Sequence, residues 1–226
     1  MTSLTRIKFQ VFAAATRSMS VSAFLTRLGR RSRDFLHQPD PDTGTLATWS
    51  GLRDLDDAAR YGVIAAYLKR LSAGGSVLDV GCAQGVLAED IAPFMGRYLG
   101  IERDEACVTA ARKLGLVNAE FRVADAHTFI PEEKFDAIVF NECLNYLRDP
   151  IGQLHRYVQN LTPSGVLITS MAAYRPSLRI ISALRNAHQL LEQATVANET
   201  GITWIVQAMR PLRSLDASSS HARAMV

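Results

Sequence analysis

Apolar residues recur along this chain in two rhythms, one with the period of a helix and one with the period of a strand. From about Asp54, positions Leu55, Ala59, Val63, Tyr67 and Leu71 fall at helical spacing. Asp56 and Asp57 sit in the first turn, where the helix dipole favours acids, and Ala73-Gly74-Gly75 ends the run. Short apolar runs follow near 76–81, 97–102, 119–124, 135–140 and 165–170. Between and after them, helical patterns fall near 86–95, 104–114, 150–161 and 177–190. Strands separated by helices of this length predict a parallel, doubly wound α/β sheet. The rhythm changes after Leu190. Ala194-Thr195-Val196-Ala197 and Thr203-Trp204-Ile205-Val206 flank a turn at Glu199-Thr200-Gly201 and predict a hairpin.

The first strand run opens into a glycine-punctuated turn, Val77-Leu78-Asp79-Val80-Gly81-Cys82-Ala83-Gln84-Gly85. Seventeen residues past Gly85, the second run ends on Glu102. A glycine turn after one strand and an acid at the tip of the next suit a nucleoside-bearing cofactor. Glycine admits the ligand close to the backbone, and a carboxylate accepts from both ribose hydroxyls. The spacing Gly81-x-x-x-Gly85 is not the G-x-G-x-x-G of dinucleotide folds, and no Lys-Ser/Thr follows as in a phosphate-gripping loop. A nucleotide-sugar or NAD-dependent oxidoreductase is therefore the disfavoured rival.

This stretch resembles motif I of the class I S-adenosylmethionine-dependent methyltransferases, with alanine at 83 where the motif is usually written with glycine. The resemblance covers roughly residues 46–210. It implies a seven-stranded, mostly parallel sheet with helices on both faces and an antiparallel C-terminal hairpin strand, and S-adenosyl-L-methionine as cofactor. It also implies roles for particular residues. Asp79 helps hold the methionyl amine, Gly81, Cys82 and Gly85 wall the site, and Glu102 binds ribose with Arg103 beside the adenine. Asp125 and the Ala126 amide meet the adenine edge. Phe135–Glu142 resembles motif IV, with Asn141 offering a carbonyl to the cofactor amine. Glu142 and Tyr146 are the candidates for catalysis, as general base or acceptor contact, although Glu142 fits a structural role equally. Arg60, on the helix before the sheet, either pairs with the cofactor carboxylate or is an exposed helix arginine. Trp49 and Tyr61 either line the pocket or pack in the core. His127 and His155 read as surface or capping residues. No histidine lies close to Glu142, so no metal is expected. The acceptor is expected to be a small molecule, such as a natural product, sugar or lipid-linked glycan, methylated on oxygen or nitrogen. Alternatives are a noncatalytic methyltransferase-like partner subunit and an RNA methyltransferase.

Charge modifies this picture at one end. Residues 1–36 carry seven basic side chains (Arg6, Lys8, Arg17, Arg27, Arg30, Arg31, Arg33) against Asp34. Removing these from the 25 basic and 22 acidic residues leaves 18 and 21, a mildly acidic body behind a basic arm. The arm reads as a lid, a contact with an anionic membrane surface, or a targeting segment. Lacking interleaved aromatics, it does not point to nucleic acid, and the net charge of +3 adds little. Three cysteines without C-x-x-C spacing fit a reducing, cytoplasmic setting. The expected organisation is an arm and linker at 1–45, a methyltransferase domain at 46–210 and a tail at 211–226.

Overall fold

The computed structural model describes residues 55–198 and 201–212. The basic arm, the linker, Trp49, Glu199, Thr200 and residues 213–226 lie outside them. Helix α1 (Leu55–Ser72) precedes β1 (Ser76–Val80), α2 (Val86–Ile91), β2 (Arg97–Glu102), α3 (Glu105–Arg112), β3 (Ala119–Val123) and β4 (Phe135–Asn141). A 3-10 turn (Leu144–Tyr146) leads to α4 (Pro150–Val158), β5 (Leu161–Ala172), α5 (Arg175–Ala187), β6 (His188–Ala197) and β7 (Thr203–Pro211). The seven strands lie in the order β3-β2-β1-β4-β5-β7-β6. The five from β3 to β5 run parallel, and β7 is antiparallel to both β5 and β6. That is the expected doubly wound sheet with its hairpin.

Period-two alternation sorts the strand residues onto two faces. Val77, Val139, Val166 and Ile168 pack with Ile64, Leu68, Leu87 and Val108 from α1, α2 and α3. Leu78, Val80, Ile138, Phe140 and Leu167 pack on the other face with Leu154, Tyr157 and Leu184 from α4 and α5. One consequence decides the site: Asp79 shares the face of Val77, under α1.

Helices α2 and α4 end earlier than expected, at Ile91 and Val158, and two further boundaries differ through strand pairing. Strand β5 begins at Leu161, not near 165, because Leu161 pairs with Phe135 across a register shift before Ala137 meets Val166. The strand takes in Pro163-Ser164-Gly165, residues that a bulge accommodates. Helix α5 stops at Ala187, and the stretch to Leu190 belongs to β6, where His188, Gln189 and Leu190 pair with Pro211, Arg210 and Met209.

His188, only 4% exposed, sits at that junction with Nδ1 donating to the Leu184 carbonyl at 3.0 Å and its ring 6.3 Å from that of His155. Burial pushes its pKa down, with the neighbouring His155 acting in the same direction against the Leu184 hydrogen bond. The unfolded chain therefore takes up a proton on acidification more readily than the folded one, and stability drops as pH falls through the ordinary histidine range. Urea unfolding from pH 7.5 to 5 should show His188→Gln losing less stability than wild type. A constant offset between the two would contradict this.

Candidate active site

The turn after β1 uses three left-handed backbone positions, Gly81 (φ 76°), Ala83 (φ 46°) and Gly85 (φ 76°). A Cβ on Gly81 would lie 2.7 Å from Cys143 Cβ, so both conformation and space call for glycine there. Gly85 caps α2 and approaches Phe121 and Leu114. It does not line the cavity that the turn helps form, which corrects the expectation that it walls the site. Its part is to turn the chain into the helix.

A cavity of about 530 Å³ opens at the carboxyl ends of β1, β2, β3 and β4. It is lined by Arg60, Asp79, Gly81, Cys82, Glu102, Arg103, Asp125, Ala126, Asn141, Glu142 and Tyr146, every other candidate residue from the sequence. Ligands of α/β sheets occupy this position because the strand ends leave a crevice between loops running to opposite faces.

Asp79 is 2% exposed. Its Oδ2 accepts from the Tyr98 hydroxyl at 2.6 Å, while Oδ1, also buried, has no hydrogen-bond partner in the protein. Burial raises the carboxyl pKa to about 7; the Tyr98 hydrogen bond and Arg60 pull it down, and Glu102 pushes it up. A buried acceptor left unmatched beside a cavity fits a ligand that brings its own donor.

Arg60 is 1% exposed and is not the surface arginine that the sequence left open. Its guanidinium donates to Asn141 Oδ1 and lies over the rings of Tyr61 (4.6 Å) and Trp204 (5.6 Å). Tyr61 is 6% exposed yet also lines the cavity, so both of its sequence readings hold.

Glu102 bends back over its own chain. Oε1 accepts from the amides of Arg103 (2.7 Å) and Asp104 (3.1 Å), and Oε2 from that of Ala83 (3.3 Å). These three donors fix the carboxylate at the junction of the first two strand tips. Cys82 packs beneath, with burial pushing its thiol well above the ordinary range, so it serves as a small packing group and not a nucleophile.

The loop after β3 is equally constrained. The Asp125 carbonyl accepts from the amides of Thr128 (3.0 Å) and Phe129 (2.9 Å). A trans peptide then directs the Ala126 N–H the opposite way. The Ala126 carbonyl is held from α4 by Arg156 Nη2 (2.7 Å) and the Tyr157 hydroxyl (2.9 Å). Asp125 Oδ1 accepts from both His127 N (2.8 Å) and His127 Nδ1 (2.9 Å), and those bonds hold its carboxyl below the usual range.

Glu142 stands at φ 59° and points its carboxylate at β5, where Oε2 accepts from Ala172 N (3.2 Å) and Oε1 from Ser170 Oγ (3.4 Å). These bonds fit the structural one of its two sequence readings. Burial pushes the Tyr146 phenol far up, so its hydroxyl stays protonated and acts as a hydrogen-bonding group, not a resident base. Among the described residues, no cluster of three or more His, Cys, Asp or Glu is placed to hold a metal ion. Nor is any helix there long and apolar enough to cross a membrane.

Tyr98, which supports the site from behind Asp79, is a residue that the sequence reading missed, as it missed Thr128, Leu147 and Arg148 in the lining. Tyr98 sits in an apolar run, and only the parallel pairing Val77↔Tyr98 and Asp79↔Gly100 brings its hydroxyl to Asp79.

A family model described as a methyltransferase domain matches residues 71–213. A ubiquinone biosynthesis O-methyltransferase from Hydrogenovibrio crunogenus is 30% identical over 127 residues, 53% of each chain. One from Xanthomonas oryzae pv. oryzae is 32% identical over 110 residues, 46% of each. The chain thus spans about half the length of the curated relatives it matches. Among solved structures, the N-methyltransferase NodS from Bradyrhizobium japonicum, in complex with S-adenosyl-L-homocysteine, superposes with a TM-score of 0.65 at 21% identity. That match covers 83% of this chain and 98% of the other, and at such identity it speaks for the fold.

Proposed function

The chain belongs to the methyltransferase domain family, and from that premise we propose that it is a class I S-adenosylmethionine-dependent enzyme that methylates an oxygen or nitrogen of a small molecule. The observation that carries the proposal is convergence: Asp79, Glu102 and Asp125, from three neighbouring strand tips, line the same cavity as Glu142 and Tyr146. The relatives bear the names of an O-methyltransferase and an N-methyltransferase, which suits either acceptor atom. In this reading residues 46–210 form the methyltransferase unit.

When bound, the cofactor supplies a methyl group already activated on a sulfonium, so the protein's task is chiefly to hold and align. The unmatched Asp79 Oδ1 receives the ammonium of the methionyl portion, and Arg60 lies close enough in the same cavity to balance its carboxylate. The Asn141 carbonyl assists at the amine. Glu102, already ordered by three amides, receives the ribose hydroxyls, with Arg103 at the rim beside the adenine. Asp125 and the outward Ala126 N–H receive the adenine edge. Gly81 and Cys82 form the floor. On the acceptor side, Glu142 braces the loop against β5, and the neutral Tyr146 hydroxyl orients the incoming nucleophile.

Calorimetry with S-adenosylhomocysteine and a methylation assay using labelled cofactor with fractionated metabolites test this reading. Binding is expected in the micromolar range, together with a labelled small-molecule product. Glu102→Ala should weaken binding by about 1–3 kcal/mol, the cost of losing a charged acceptor. Unchanged affinity in that variant would remove Glu102 from the ribose site; label entering only macromolecules would remove the small-molecule acceptor.

A further inference from the structure

The loop after β3 and the loop after β4 leave different strands, and both line the cavity mouth through Asp125–Thr128 on one side and Tyr146–Arg148 on the other. The His127 side chain joins them by hydrogen bonds. His127 Nδ1 lies 2.9 Å from Asp125 Oδ1, and the Arg148 amide donates to His127 Nε2 at 3.3 Å. Together these contacts define the imidazole. Asp125 is an acceptor, so Nδ1 carries the hydrogen; Nε2 accepts, so it carries none. The ring is a bridge with a donor end and an acceptor end.

Both loops have anchors of their own, the second through Glu142 bonded to β5 and Asn145 Nδ2 donating to the Tyr174 hydroxyl at 2.6 Å. The adenine-side loop is tied to α4 through Arg156 and Tyr157, which both donate to the Ala126 carbonyl, and to its own turn through the Asp125 carbonyl. Across the mouth, Leu147 packs inward and its amide donates to Leu144, but Arg148 is exposed. The Arg148 amide finds its acceptor in His127, 21 residues earlier in the chain. The bridge therefore connects two anchored rims, meeting the second at the exposed Arg148, beyond the last of those anchors.

We propose that His127 is a positioning residue that clasps the cavity mouth, holding the Tyr146–Arg148 loop over the bound cofactor and slowing its release. This rests on the reading of the cavity as the cofactor site. The clasp acts through the Arg148 backbone, so it restrains the loop carrying Tyr146 without itself touching the reacting atoms.

The test uses the full chain and three proteins: wild type, His127→Phe and His127→Gln. Phenylalanine keeps a ring of similar bulk with neither donor nor acceptor; glutamine restores an acceptor oxygen able to meet the Arg148 amide. Two quantities are measured, amide exchange at Arg148 without ligand and the dissociation rate of S-adenosylhomocysteine. His127→Phe should lose Arg148 protection and release the ligand on the order of ten times faster, the scale of one lost hydrogen bond. His127→Gln should recover part of both. Faster release in both variants without loss of Arg148 protection would overturn the clasp, as would wild-type release in His127→Phe. Were wild type to bind no S-adenosylhomocysteine, the cofactor reading would fall, while unaltered Arg148 exchange in His127→Phe would still reject the bridge by itself.

Discussion

Replacing Asp79 with asparagine is expected to make the unliganded protein more stable and nearly unable to hold its cofactor. The buried carboxyl has its pKa raised to about 7 in the folded protein. An unfolded aspartate titrates near 3.8. The folded chain thus binds the proton more tightly, so the stability it contributes is complete below the unfolded value and lost as pH rises through about 7. Above that, an ionised carboxylate sits 2% exposed with one oxygen unmatched. Asparagine keeps an acceptor for the Tyr98 hydroxyl and removes the charge. Urea unfolding without ligand should show Asp79→Asn more stable than wild type by about 1–3 kcal/mol at pH 8, with the gap narrowing towards pH 5. The trend runs opposite to that of His188, so each must be read as a difference between variant and wild type. Affinity for S-adenosylhomocysteine should fall on the order of a hundredfold at pH 8, the cost of removing a buried charge from an ammonium. In wild type that affinity should rise with pH through about 7; in the variant the rise should vanish. If asparagine left affinity intact, Asp79 would not meet the ammonium.

Arg60→Met should be damaging to both stability and binding. Methionine replaces the stem of the side chain but not the guanidinium that donates to Asn141 and covers Tyr61 and Trp204. It also strips Asp79 of a cation that favours its ionised form. We expect a loss of about 2–4 kcal/mol in stability at pH 8 and at least tenfold in affinity. Combining it with Asp79→Asn gives a sharper prediction. With no charge left at 79, part of the penalty for removing Arg60 disappears, and the double variant should be more stable than the sum of the two single changes predicts. Strict additivity would mean that the two groups do not interact through the protein interior.

The contrast between these residues shows what a linear chain reveals. Asp79, Glu102 and Asp125 were legible because each ends or nearly ends an apolar run, and a parallel sheet carries such positions to one edge whatever the details of packing. Glu142 and Tyr146 were placed by the same logic after β4, with Glu142 left open between catalysis and a structural role. Only the pairing of β4 with β5 brings the Ala172 amide within reach of the Glu142 carboxylate, 30 residues on. The early start of β5 was not legible because it depends on the register shift between β4 and β5, which carries Pro163 and Gly165 inside the strand. His127 looked like a surface or capping residue, since its second partner, Arg148, belongs to another loop.

By itself, the sequence determined the alternation of strand and helix, the glycine turn after β1 and the acids at the strand tips, because each depends on neighbours a few residues away. Tertiary structure alone decided that Arg60 is buried against Asn141, 81 residues distant, and that Tyr98 faces Asp79. It decided too which way Glu142 turns and what His127 joins. The physical reason is the strand order: β1 lies between β2 and β4, and β5 meets β7 before β6. Contacts made across that order depend on register and face, which no local pattern encodes.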